Sequence, residues 1–153
     1  AVLLATVGFT LPMSTPAGLL VHARPHRRLL HGIVLAPGLH MRQTAAGRIV
    51  AGVDFGGAEP GMDAAATAQA LFAKARAMLV RSDGLELDHY TIGYRPTPEG
   101  GLPAIGRPAG ADGLYLAVMH SGVTLAPAVG EFATAELLGG RRDPLLAPFA
   151  PAG

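Results

Sequence analysis

Apolar positions along the chain change period several times, and each change predicts an element. Residues 114–119 (LYLAVM) form a short apolar run, as in a strand covered on both faces. His120, Ser121 and Gly122 make a turn, and 123–138 place Leu125, Val129, Phe132, Ala133 and Leu137 at helical spacing. A strand feeding a helix through so short a turn sets the helix N-terminus at the carboxyl end of the sheet. In open α/β sheets, ligands sit there.

Upstream, residues 85–94 alternate, so His89, Thr91, Gly93 and Arg95 share one strand face, opposite Tyr90, Ile92 and Tyr94. Segments 38–44 and 48–53 are strand-like and joined by Ala45, Ala46 and Gly47, which predicts a β-hairpin. Its alternation puts His40 and Arg42 on one face and Met41 on the other. Between these strands, 64–80 read as a helix capped by Asp63, with Leu71, Phe72, Ala75, Met78 and Leu79 on one face. Arg81 follows where the helix dipole favours a cation.

Residues 19–34 alternate imperfectly and suggest two short strands around Pro25, His26, Arg27 and Arg28, with Pro25 unsuited to a central strand. The apolar run 1–13 is expected to pack on another surface, 14–18 to turn, and 54–62 to form a glycine-rich loop. Pro96, Pro98, Gly100, Gly101 and Pro103 predict a long irregular crossing to the last strand.

Composition narrows the classes. Half of the 153 residues are hydrophobic, enough for one ordinary core and too many for disorder despite 21 glycines and 13 prolines. A net charge of +1 provides no broad field for nucleic acid or anionic lipid, and the lack of Trp argues against a base-stacking surface. The cluster around Arg27 and Arg28 is either an anion contact or a solvated loop. Cysteine is absent, which removes disulfides and thiolate metal sites. The chain starts at Ala1 within an apolar run that lacks a basic n-region and is too short to span a bilayer. The expectation is a piece of a longer, cytoplasmic polypeptide with no membrane partner; a mature secreted chain is the minor alternative, since the absence of cysteine leaves the redox compartment open.

Three chemistries find no motif. His22 and His26 are four apart but interrupted by Pro25, and no HExxH occurs, so no metal site is expected. G-x-S-x-G is missing, which leaves Ser121 without a nucleophile elbow. Neither G-x-G-x-x-G nor G-x-x-x-x-G-K is present to cradle phosphates.

The order GYRPTPEGGLPAIG, then GLYLA, then HSGVTLAPAVG resembles the C-terminal end of FAD-dependent amine oxidoreductases, the D-amino-acid oxidase, glycine oxidase and sarcosine oxidase superfamily. From about Leu19 the chain resembles that family's substrate-binding domain more loosely. The resemblance implies an α+β fold in two parts. Residues 1–94 would form part of a mixed or antiparallel substrate-domain sheet with a covering helix. Residues 95–153 would supply the last strand and helix of an FAD-binding domain.

FAD is the implied cofactor, with His120, Ser121, Gly122, Val123 and Thr124 at the flavin ring. Because the dinucleotide loop is missing, the chain alone is not expected to hold FAD. Arg95 matches an arginine that holds the substrate carboxylate, and is the implied catalytic and substrate-binding residue. His40 falls where the family often presents an aromatic hydroxyl to substrate, and either substrate contact or a satisfied surface histidine fits it.

Met119 stands where Gly usually precedes the His, the spacing from His120 to Gly122 is shorter than usual, and TPEGGLP has an extra Gly. The implied activity is oxidation of a small amino acid or secondary amine by hydride transfer to flavin, with a missing N-terminal segment or partner chain completing the site. Alternatives are a non-catalytic module, a split-enzyme subunit, or flavin-dependent modification of a tRNA base. A homo-oligomer is left open, and a nucleic-acid partner is not expected from the charge.

Overall fold

A computed structural model describes residues 2–53 and 60–151; most of the expected glycine-rich loop, residues 54–59, lies outside the described residues. The chain divides into two compact units, Pro16–Tyr94 and Ala1–Thr15 with Arg95–Gly153. By contacts, the first fifteen residues group with the C-terminal part, whereas the sequence grouped them with 16–94.

The Pro16–Tyr94 unit is built on a five-stranded antiparallel sheet. In chain order its strands are β2 (Ala17–Ala23), β3 (Val34–Ala36), β4 (Leu39–Gln43), β5 (Ile49–Gly52) and β6 (Leu87–Tyr94). Here β1 denotes Met13–Ser14, in the other unit. The spatial order is β3-β4-β5-β2-β6, which makes β2 central and β6 an edge. Alternation fills one face with Leu19, Val21, Ala23, Leu39, Met41, Ile49 and Ala51, all buried.

Helix α2 (Ala64–Ala77) covers that face with Ala68, Leu71, Phe72 and Ala75. Alanine-rich sequence favours the helix, and the Asp63 side chain accepts the Ala66 N–H at 2.9 Å as N-cap. Burying Leu71 and Phe72 contributes about 1.5–3 kcal/mol each. The helix stops at Ala77, so Met78 becomes the half-exposed C-cap and Leu79 only flanks the core.

Pro25 lies beyond the end of β2, and residues 24–33 form a loop where a second strand had been expected. One side chain holds this loop. Gln43 Oε1 accepts the N–H groups of Leu29 and Leu30, while Nε2 donates to the carbonyls of His26, Arg27 and Gly47. These bonds satisfy backbone groups that a strand would have paired. Gly47 is required in the hairpin turn: its φ is +81°, and a Cβ would lie 2.7 Å from the His26 carbonyl oxygen.

In the other unit, α1 (Val2–Ala5) buries none of its residues, and Val2 and Leu3 are largely exposed. Strand β1 pairs with β7 (Thr97–Pro98), and β8 (Ala104–Gly106) pairs antiparallel with β9 (Leu116–Val118). The expected irregular crossing thus contains two short strands. Helix α3 (Gly122–Gly139) follows β9, and a 3-10 helix, Pro144–Phe149, closes the unit.

Leu125, Val129 and Phe132 of α3 pack around buried Ile105, Met119 and Leu146. Two expectations need correction. Strand β9 is not covered on both faces, because Ala117 is exposed in a sheet of only two strands. Leu137 is 44% exposed while Glu136 is buried, since the carboxylate has partners inside the unit.

Candidate functional site

The uncovered face of the five-stranded sheet gathers most of the polar chemistry. Register places Arg42 beside Val50, Val50 beside His22, and His22 beside His89 in one row. The next row runs His40, Gly52, Leu20 and Thr91. His22 and His89 stack with ring centroids 4.5 Å apart and planes 7° from parallel. His22 Nε2 also lies 3.0 Å from Thr91 Oγ1.

Asp88 orders one end of this row. Its Oδ2 accepts from Arg48 Nη1 and from His89 Nδ1, and a carboxylate can only accept, so His89 bears its proton on Nδ1. The Arg48 hydrogen bond, then that of His89, holds the Asp88 carboxyl below its ordinary range. His22 is shifted down, first by burial and then by the positive field of His89, Arg48 and Arg42. It therefore stays neutral further into acid than a free imidazole.

His40 is fitted closely. Its ring lies over Gly52, where an added Cβ would meet His40 Cε1 and Nε2 at 2.8 Å and Leu20 Cδ2 at 2.5 Å. The missing side chain at Gly52 makes room for the imidazole and sets its position on the face.

Helix α3 brings together the residues singled out at its start. Ser121 is left-handed (φ 63°) and makes no side-chain cap; its Oγ is 2.7 Å from His120 Nδ1. Gly122, Val123 and Thr124 are exposed, and the first backbone bond of the helix is from Leu125 N–H to Ser121 O at 3.0 Å. Among the described residues no acceptor takes the preceding N–H groups. Beside them an open pocket of about 390 Å³ is walled largely by apolar groups, including Leu4, Met13, Pro96, Val118 and Met119. Met119 turns its side chain into the core, so the departure from Gly at this position contributes to packing.

Arg95 follows directly on β6 and precedes Pro96; it is half-buried. The basic loop makes specific contacts with backbone carbonyls. Arg27 donates to the Arg81 carbonyl at 2.9 Å, and His26 Nε2 lies 3.0 Å from that of Asp83. Among the described residues no group of three His, Cys, Asp or Glu could hold a metal.

Two arrangements were not anticipated. The histidine stack needed the register of β2 against β6, although the alternation of each strand hinted at it. A second network joins Glu136 to Arg142: Arg142 Nη1 donates to both carboxylate oxygens, and Nη2 to the carbonyls of Ile105 and Leu146. Tyr115 Oη donates to the same carboxylate at 3.1 Å, and its hydroxyl is pushed up by burial and by Glu136.

The description "FAD dependent oxidoreductase" belongs to the family model that matches residues 3–137. The chain belongs to this family. It is 33% identical to the glycine oxidase of Pseudomonas putida strain KT2440 over 158 residues, which takes in 99% of this chain and 42% of that protein. The chain thus spans about two fifths of that relative's length. Glycine oxidase from Geobacillus kaustophilus superimposes with a TM-score of 0.75 at 28% identity, covering 97% of this chain and 41% of that one. Iminodiacetate oxidase from Chelativorans sp. BNC1 shares the fold with a TM-score of 0.74 at 21% identity, over 98% and 42% of the two chains.

The described residues are compatible with part of a flavin site. Unused N–H donors at the positive end of an 18-residue helix, beside an apolar wall, suit a flat ring with a polar edge. None of the α/β phosphate motifs of dinucleotide binding occurs in the 153 residues.

Among the described residues, no helix is long and apolar enough to cross a membrane. The fold is α+β with antiparallel sheets, and it matches part of a glycine oxidase.

Proposed function

We propose that this chain forms the substrate wall and flavin-ring edge of an FAD-dependent oxidoreductase acting on a small amino acid or secondary amine. The observation behind the reading is the open α3 N-terminus, with three unused N–H groups next to an apolar pocket, in a chain matched to this family over residues 3–137. Pro16–Tyr94 would contribute the substrate wall, and α3 of the other unit would serve the flavin.

The N–H groups of Gly122, Val123 and Thr124, with His120 and Ser121 beside them, would hold the N1–C2=O2 edge of the ring. FAD, when bound, supplies the hydride acceptor. Partial positive charge at the helix start favours negative charge at that edge, and it is built in before reaction, so no reorganisation is needed. Arg95 would bind the substrate carboxylate, where a planar guanidinium can meet two oxygens at once. His40 would line the substrate wall from its seat over Gly52. The side chains then act by orientation rather than by proton transfer, because the amine can react in its neutral form.

The test uses the full-length, FAD-loaded protein with glycine, sarcosine and D-amino acids, following loss of flavin absorbance without oxygen. A charged pair lost from a dry pocket costs about 2–5 kcal/mol. Arg95→Lys and Arg95→Met are therefore both expected to lose roughly 30- to several-thousand-fold in kcat/KM. If both remain within about threefold of the parent, Arg95 does not hold the carboxylate. Absence of flavin reduction by every amine would overturn the activity itself.

A further inference from the structure

Helix α3 buries one stripe, and the stripe ends in a charge. Leu125, Val129, Phe132 and Glu136 follow one another at four, three and four residues, the spacing of a single helix face. The first three pack against Ile105, Met119 and Leu146. Glu136, one turn further on, is buried as well. Burying a carboxylate is costly unless it is paired and hydrogen-bonded, so a leucine would have held this face at less cost.

Arg142 answers that charge with a fixed fork. Its Nη1 donates to both Glu136 oxygens, at 3.0 and 2.9 Å, and its Nη2 to the carbonyls of Ile105 and Leu146, each at 3.0 Å. Tyr115 Oη adds a further bond to the carboxylate. One guanidinium thus ties α3 to β8, to the 3-10 helix and, through the carboxylate, to the residue before β9. Gly106 leaves the passage open: its φ is +127°, and a Cβ there would collide with the guanidinium. The segment that carries Arg142 is itself held, since Arg141 N–H reaches the Ala135 carbonyl and Asp143 Oδ1 accepts the Leu145 N–H. All these residues belong to the unit that contains α3.

The other end of the helix lacks such anchors. Ser121 gives no side-chain cap, Gly122, Val123 and Thr124 are exposed, and Pro127 offers no N–H to the Val123 carbonyl. Where these N–H groups lie is therefore decided further along the rod. Apolar contact has no direction, so the stripe of Leu125, Val129 and Phe132 tolerates sliding and rotation. A forked ion pair does not. A slip of one residue along the axis displaces every N–H by about 1.5 Å, against the roughly 0.5 Å within which a working group must be held. We propose that Glu136, Arg142 and Tyr115 form a register lock for α3, which fixes the setting of the helix and so places the N–H groups of Gly122, Val123 and Thr124 at the flavin edge. The inference rests on the reading of that helix start as the flavin edge. Glu136 stands about 21 Å along the helix from Gly122, so the three act as positioning residues without touching the cofactor.

The experiment measures the midpoint potential of the bound flavin in the full-length, FAD-loaded protein, alongside its unfolding midpoint. E136M/R142M removes both charges together, so the fold is kept while the register is freed. Its preference for reduced over oxidised flavin should fall at least tenfold, a midpoint about 30 mV lower for a two-electron couple. R142K keeps the charge without the fork and Y115F removes one hydrogen bond; both should fall part of the way. I105V loosens the same core by packing alone and should leave the potential unchanged. V123P deletes one of the N–H groups within the first turn and should lower the potential directly.

If V123P lowers the potential while the lock variants leave the preference for reduced flavin within threefold of the parent, this inference alone is overturned. So it is by an equal fall in I105V, which would make the shift a sign of general loosening. If the double variant does not fold, R142K and Y115F give the test on the same terms. A potential unmoved by V123P, or a full-length protein that carries no FAD, overturns the flavin-edge reading and this inference with it.

Discussion

Gly52→Ala probes the seat of His40 directly, and its magnitude follows from the packing around that glycine. The backbone at Gly52 is not left-handed, so alanine should restore the roughly 0.5–1 kcal/mol that glycine costs within a strand. Against this, the new methyl would lie 2.5 Å from Leu20 Cδ2 and 2.8 Å from two atoms of the His40 ring. Overpacking costs about 1–3 kcal/mol when neighbours are locked. Here both neighbours are side-chain ends on an open face and only half-buried, so the cost should fall at the low end.

Net stability is then expected to change by no more than about 1 kcal/mol, while the His40 ring is forced off its position. The assay combines denaturant unfolding, the His40 Cε1–H resonance, and kcat/KM on the preferred amine. G52A should shift the resonance and lower kcat/KM about tenfold or more, with little change in unfolding. In H40A the space over Gly52 is partly vacated, so adding G52A to H40A should cost much less than it does alone, a coupling that a double-mutant cycle measures. If G52A leaves the His40 resonance and kcat/KM as they were, the ring is not seated by Gly52. A loss above about 3 kcal/mol would instead show the neighbours to be rigid.

Arg142→Met should destabilise the unit holding α3 by about 2–4 kcal/mol, because it strands the buried Glu136 carboxylate and two carbonyls; faster hydrogen exchange across α3 reports it. Pairing it with Glu136→Met should recover part of that loss, since both charges are then gone. Gln43→Leu removes four hydrogen bonds to the 24–33 loop and one to Gly47, and should cost about 2–3 kcal/mol, seen first as faster exchange at the amides of Leu29 and Leu30.

For pH, the folded His22 pKa lies below its unfolded value of 6.5, so the unfolded chain binds more protons in acid. The stabilising contribution of His22 is therefore present above pH 6.5 and lost as pH falls through and below it. Unfolding midpoints measured from pH 8 to 5 should drop less steeply in H22F than in the parent.

Much of the local architecture follows from sequence because it depends on near neighbours. Asp63 before an alanine-rich amphipathic run specifies α2, since cap and propensity act within one turn. The Ala45, Ala46 and Gly47 link specifies the hairpin, and alternation places His40 and Arg42 together without knowledge of any other strand. The turn at His120, Ser121 and Gly122 and the helix after it were equally legible, as was the resemblance to the FAD-dependent family.

Partners distant along the chain could not be found in this way. His22 and His89 stack because β2 pairs with β6 in one register, and a shift of one residue would send either ring to the other face. Glu136 is buried, where helical periodicity favoured Leu137, because Arg142, Tyr115 and two carbonyls converge on that spot after folding. Strand β9 leaves Ala117 exposed on one face, and no property of the run LYLAVM shows which of its faces another element will cover. Spacing along the chain encodes each element's own faces; which face meets a partner is settled by burial and hydrogen-bond satisfaction across the whole tertiary structure.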